Sequence, residues 1–205
     1  MKKTERVSFY SHFVGFILAL IGTGYLIYVA RDSILEIITS TVYGFSIIFL
    51  FLSSSLYHAF KRKENELSFW RKLDHFAIFV MIAGTYTPVS MIYLTGYWKW
   101  IIISVQWALV LGGFFFKFFY LKAPRWLYTA IYLLMGWIGI VPLRQFMANM
   151  PLSAELLLFV GGGFFTIGAV FYMLKKPRKV FHEIFHIFIL LGGIAHFFMV
   201  YVAVK

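Results

Sequence analysis

Long apolar runs separated by short polar breaks fill the chain from residue 9 to residue 203. Seven of them lie at roughly 9–30, 35–60, 73–94, 97–120, 125–147, 153–174 and 180–203. Each meets the length of about 20 residues that a helix needs to cross a bilayer. The connections are short, no soluble domain is inserted and no internal repeat is evident. The pattern predicts one domain over residues 1–205: an all-α membrane protein, a seven-transmembrane helix bundle. Pro88 and Pro142 fall inside apolar runs and are expected to kink the third and fifth helices. Glycines at 112–113, 161–163 and 192–193 lie within spans, where they let helix backbones approach closely.

Composition agrees and narrows the chemistry. The chain is 61% hydrophobic and 13% charged, far from the roughly half apolar and quarter charged make-up of a soluble domain. There are no cysteines, so disulfides and thiolate metal ligands are excluded. The basic start, MKKTERVSFY, precedes an apolar run with no small-residue cleavage site, which makes that run a retained span. A net charge of +11 fits basic loops beside anionic headgroups better than nucleic-acid binding.

The basic residues also set a direction. Around positions 2–6, 61–72, 117–125 and 175–179 they gather on one side; Arg31, Lys99, Arg144 and Lys205 are the remainder. By the positive-inside rule the N-terminus is cytoplasmic and the C-terminus is outside. That is the reverse of a G-protein-coupled receptor. No lysine stands midway along the seventh span to form a retinal Schiff base.

Few ionisable residues lie in or at the edge of the spans, away from the basic loops. Such residues are costly in lipid and usually face the bundle interior or water. In this orientation His58 nears the cytoplasmic end of span two. Asp74, His182 and His186 lie in the first turns of spans three and seven. Three helices thus bring polar groups to one depth. The pentapeptide HEIFH at 182–186 matches the zinc-protease pattern H-E-x-x-H. His182 and His186 are i,i+4 neighbours on one helix face and can share an ion. His196 lies about 15 Å further along the axis, so the third ligand must come from upstream, and His58 is the choice. Three imidazoles leave one tetrahedral position open for water, as in catalytic zinc sites. Asp74 is either a fourth ligand, a base for the metal's water or the N-cap of the third helix. Ser54, one turn before His58, either serves the site or back-bonds to its own helix. Glu183 is either a catalytic acid–base or a helix N-terminal charge. His12 and His196 are expected to be bundle hydrogen-bonders, and His75 interfacial.

The stretches SSSLYH, LDHFAIFVMIAGTYTP and HEIFHIFILLGGIAHFF together resemble the hemolysin III branch of the progestin and adipoQ receptor family. The resemblance runs the length of the chain. It implies a zinc held by His58, His182 and His186, with Asp74 on the zinc-bound water and Ser54 beside it. It also implies kinship with alkaline ceramidases, whereas the long N-terminal segment of the adiponectin receptors is missing and hormone reception does not carry over. The expected function is a zinc-dependent intramembrane hydrolase of a lipid amide or ester at the plasma membrane, with a role in membrane lipid homeostasis. The membrane lipid is its substrate or ligand. The alternatives are a non-enzymatic lipid or membrane-state sensor with structural zinc, and an intramembrane protease using Glu183.

The topology is directly testable, because any introduced cysteine is unique. Cysteines placed in the 61–72 loop should be labelled only from the cytoplasm, and one at Lys205 only from outside. Labelling of the 61–72 loop from outside would invert the arrangement.

Overall fold

The computed structural model describes residues 2–63, 66, 68–119, 124–174 and 177–205. Lys122, Lys175 and Lys176, counted above among the basic loops, lie outside these residues. Among the described residues, eight α-helices follow a short 3-10 turn at Lys3–Glu5: α1 (Arg6–Val29), α2 (Ile34–Phe60), α3 (Phe69–Tyr93), α4 (Tyr97–Phe119), α5 (Arg125–Trp137), α6 (Leu143–Asn149), α7 (Leu152–Met173) and α8 (Arg178–Val204). Six are long and apolar enough to cross a membrane. The α5–α6 pair makes a seventh crossing if its bent halves count as one span. Among the described residues there is no strand.

The helix starts follow ordinary capping chemistry. Ser33 accepts from Glu36 N at the head of α2, in the S-x-x-E pattern of a capping box. Ser68 accepts from Arg71 N at the head of α3. The third helix therefore begins at Phe69, earlier than the hydropathy edge at residue 73, and Ser68 rather than Asp74 caps it. Asp74 lies in the second turn, which overturns its reading as an N-cap.

α3 stands at the centre. Of its apolar window 67% is buried within the protein, against 11–44% for the other five spans. It packs on α2 and α4 and also touches α5 and α8, while α1 joins α2 to α8 and α7 lies against α5 and α8. Close approach needs glycine at some of these crossings. A Cβ on Gly84 of α3 would run into the Ser46 side chain of α2, and one on Gly161 of α7 into the His196 ring of α8. Gly112 and Gly163 meet nothing. The doublets and triplet are therefore only partly packing devices. Large apolar side chains such as Ile21, Leu111 and Leu134 cover the outer faces, as lipid contact requires.

The two prolines behave differently. α3 runs unbroken through Pro88. At Pro142 the fifth span is not one helix over 125–147, because α5 ends at Trp137, a 3-10 turn spans Ile138–Ile140, and α6 leaves at 56°. Pro142 has no N–H to continue the ladder, and its ring would crowd the carbonyl of residue 138. Backbone groups freed at membrane depth must be bonded within the protein. Tyr86 of α3 does this twice: its hydroxyl donates to Gly136 O at 2.6 Å and accepts from Gly139 N at 2.9 Å. Asn149 donates to Tyr93 O at 2.8 Å, which fastens α6 to the end of α3.

Tyr86→Phe removes both bonds while keeping the ring. It should lower stability by about 1–3 kcal/mol, the cost of buried polar groups left unpaired, read as a lower unfolding midpoint in detergent. An unchanged midpoint would mean that the break satisfies itself another way.

Candidate metal centre

α2 ends and α8 begins at the same end of the bundle, the end carrying Lys61, Arg62, Arg71 and Lys179. His58, in the last turn of α2, is fully buried; His186 is buried and His182 partly buried. The rings stand 5.4 Å (His58–His182), 4.7 Å (His58–His186) and 4.5 Å (His182–His186) apart by centroid. One nitrogen from each lies within 4.8 Å of the other two. The His182 and His186 Nε2 atoms face each other at 3.1 Å. Two nitrogens on a tetrahedral zinc at 2.0–2.1 Å would be about 3.3 Å apart, a value inside this range. Nε2 of His58 is buried and has no partner among the described residues. Three nitrogen donors, one of them orphaned, form a set that could hold a borderline metal ion.

The outer nitrogens are taken up by the N-terminal stretch. His58 Nδ1 donates to Glu5 Oε2 at 2.7 Å, and Lys61 Nζ donates to Glu5 Oε1 at 2.8 Å. Burial works to raise the Glu5 pKa, but the bonds from His58 and Lys61 outweigh it and hold it at about 2. His186 Nδ1 pairs with His12 Nε2 of α1 at 2.9 Å. His12 is thus a bundle hydrogen-bonder, as expected, and its partner is a member of the histidine group. Glu5 was not among the candidate residues. Its signal is an acid set in an otherwise basic N-terminal stretch, immediately before a span.

Asp74 lines the cavity beside the histidines, with the basic side chains of Lys117 and Arg71 also near it. Ser54 is buried next to it, close to the carboxyl but without a well-formed hydrogen bond. It does not back-bond to its helix, whereas Ser55 does, to Phe51 O at 2.8 Å. Glu183 is outside the histidine group and makes a loose pair with Lys179 at 3.7 Å. His196 contacts Leu158 O at 3.3 Å and is likewise outside it. His75 is not interfacial in the simple sense. Its Nδ1 meets Lys117 Nζ at 3.0 Å, and its carbonyl accepts from the Tyr132 hydroxyl at 2.9 Å. Lys117 is buried in the last turn of α4 with its Nζ over the Tyr128 ring, so it is a packed side chain rather than a loop charge.

A cavity of about 340 Å³ opens from this centre. Glu5, Lys61 and Arg71 line its basic end; Trp137, Ile140 and His196 line its far end. Its wall touches α8 from His182 to His196, and most of it is apolar.

A family described as Haemolysin-III related matches residues 1–197. The Hemolysin-3 homolog of Bacillus subtilis (strain 168) is 36% identical over 200 residues, covering 97% of this chain and 93% of the relative. The chain belongs to the haemolysin-III related family. Hemolysin-3 of Bacillus cereus is 35% identical over 97% of this chain and 90% of its own length. The human Monocyte to macrophage differentiation factor is 24% identical over 94% and 81%. Together these place the chain in the hemolysin III branch of the progestin and adipoQ receptor family.

For this family member the histidine group makes a measurable claim. The purified protein should bind about one divalent ion per chain by elemental analysis, and a His58→Ala, His182→Ala double variant should bind none. Full occupancy in the double variant would remove the ligand set.

Proposed function

We propose that the protein is a zinc-dependent intramembrane hydrolase of a lipid amide or ester, ceramidase-like in its chemistry, with a role in membrane lipid homeostasis. The observation that carries this reading is a three-imidazole group at the head of a long, mostly apolar cavity, with a carboxylate beside it. His58, His182 and His186 would hold the zinc. Bound zinc supplies Lewis acidity and makes water acidic enough to deprotonate near neutral pH.

The chain's own groups then divide the work. An acyl chain lies along the apolar wall toward Trp137 and His196, which brings its carbonyl to the basic end. Asp74 takes the proton of the attacking water as the carbonyl carbon accepts oxygen. It returns that proton to the departing amine or alcohol as the C–N or C–O bond breaks. The unpartnered Ser54 hydroxyl donates to the Asp74 carboxylate or to a substrate oxygen. The apolar wall excludes bulk water, which strengthens each of these interactions. In the cell, the basic end faces the cytoplasm and the protein resides in the plasma membrane.

The centre would also suit a structural zinc in a lipid sensor, because His58 and His186 are buried and both have their ring nitrogens engaged or facing the group. The protease reading is weaker, since Glu183 is outside the histidine group and turned to Lys179.

Asp74→Asn separates the readings. In liposomes containing a ceramide with a labelled acyl chain, or a labelled phospholipid ester, fatty-acid release should fall by about 10²–10⁴-fold with zinc content unchanged. Glu183→Gln should stay within about twofold. Wild-type turnover in Asp74→Asn, or no turnover of either substrate class by the wild type, would sink the hydrolase and leave the sensor.

A further inference from the structure

We infer that Glu5 is a positioning residue for the metal centre: it holds the proton on His58 Nδ1 and so turns an unprotonated Nε2 toward the site. This rests on the reading of His58, His182 and His186 as metal ligands.

The observations are geometric. Glu5 ends the 3-10 turn that precedes α1, and the residue is only 8% exposed. A buried carboxylate is costly unless its oxygens are bonded. Each Glu5 oxygen has one short partner, His58 Nδ1 at 2.7 Å and Lys61 Nζ at 2.8 Å. An ionised carboxylate only accepts, so His58 Nδ1 must carry a proton. If Nε2 carried one as well, that proton would be buried with nothing to receive it, because no described residue lies within bonding reach. The tautomer that fits is Nδ1–H with a bare lone pair on Nε2. That is the form a metal ligand needs, and a carboxylate behind the imidazole also raises its basicity. Lys61, three residues beyond His58 at the exit of α2, holds the other oxygen and keeps the carboxylate from swinging away. The pair joins residues 53 apart in sequence, so neither α1 nor α2 arranges it alone.

A plain tether would use the same contacts but make a different forecast. If Glu5 only fastens the N-terminus, cutting its bond to Lys61 should matter as much as changing Glu5 itself. If Glu5 orients His58, the carboxylate matters more than its second anchor.

The test is zinc affinity of the full-length detergent-purified protein, measured by competition with a chelator. The Co²⁺-substituted visible spectrum serves as a readout of ligand geometry. Glu5→Gln should weaken zinc binding by about 10–100-fold and shift the Co²⁺ spectrum, while the unfolding midpoint of the metal-free protein stays put. Glu5→Asp, which keeps the charge, should recover part of the loss. Lys61→Met should cost several-fold less than Glu5→Gln. Wild-type affinity in Glu5→Gln, or equal losses in Glu5→Gln and Lys61→Met, would overturn the role. A wild type that takes up neither Zn²⁺ nor Co²⁺ would instead overturn the metal reading, and the Glu5 role with it.

Discussion

A buried imidazole has two nitrogens to satisfy, and either is costly to leave unpaired. At the basic end of this bundle two such rings, His58 and His186, meet the partly buried His182, all within 5.4 Å of one another by centroid. Two of them solve half the problem outward, His58 on Glu5 and His186 on His12. The other half points inward, where nitrogens face nitrogens. Such a cluster is poorly satisfied as three neutral bases and worse as three cations. A divalent ion could satisfy all three at once. α1, α2 and α8 meet at this cluster, α2 and α8 through the three histidines and α1 through His12.

The rest of the bundle keeps a space open in front of that cluster. α3 fills the centre and carries Asp74 at one end and Tyr86 toward the other. The fifth crossing bends away at Pro142, and the Tyr86 hydroxyl takes over the backbone bonds the bend releases. Ile140 and Leu143, on either side of Pro142, line the cavity there. On the opposite wall, Gly161 lets the His196 ring come close to α7.

Much of this was legible in the sequence, for identifiable reasons. Seven crossings follow from hydropathy, because bilayer thickness fixes helix length. His182 and His186 follow from helical periodicity. His58 follows from loop charges, which set its depth without reference to any motif. Errors arose where a residue acts outside its own element. Asp74 looks like a cap because hydropathy places the helix start at residue 73, whereas Ser68 sets it at Phe69. Lys117 looks like a loop charge, yet aromatic rings and His75 accept it inside. The break at Pro142 was expected only as a kink, since its stabilising partner, Tyr86, is on another helix. Glu5 was passed over because its partner is distant in sequence and its neighbours are basic.

The histidine group also orders the chain in time. Its histidines come from α2 and the last helix, with His186 paired to His12 of the first helix across 174 residues. During synthesis α2 and its single histidine are in the membrane long before α8 emerges, and one imidazole holds an ion weakly. The ion can be captured firmly only when the final helix has been threaded into place beside α1. If the group holds an ion, loading would mark the completion of assembly, and a chain stalled or cut before α8 would lack two of the three ligands.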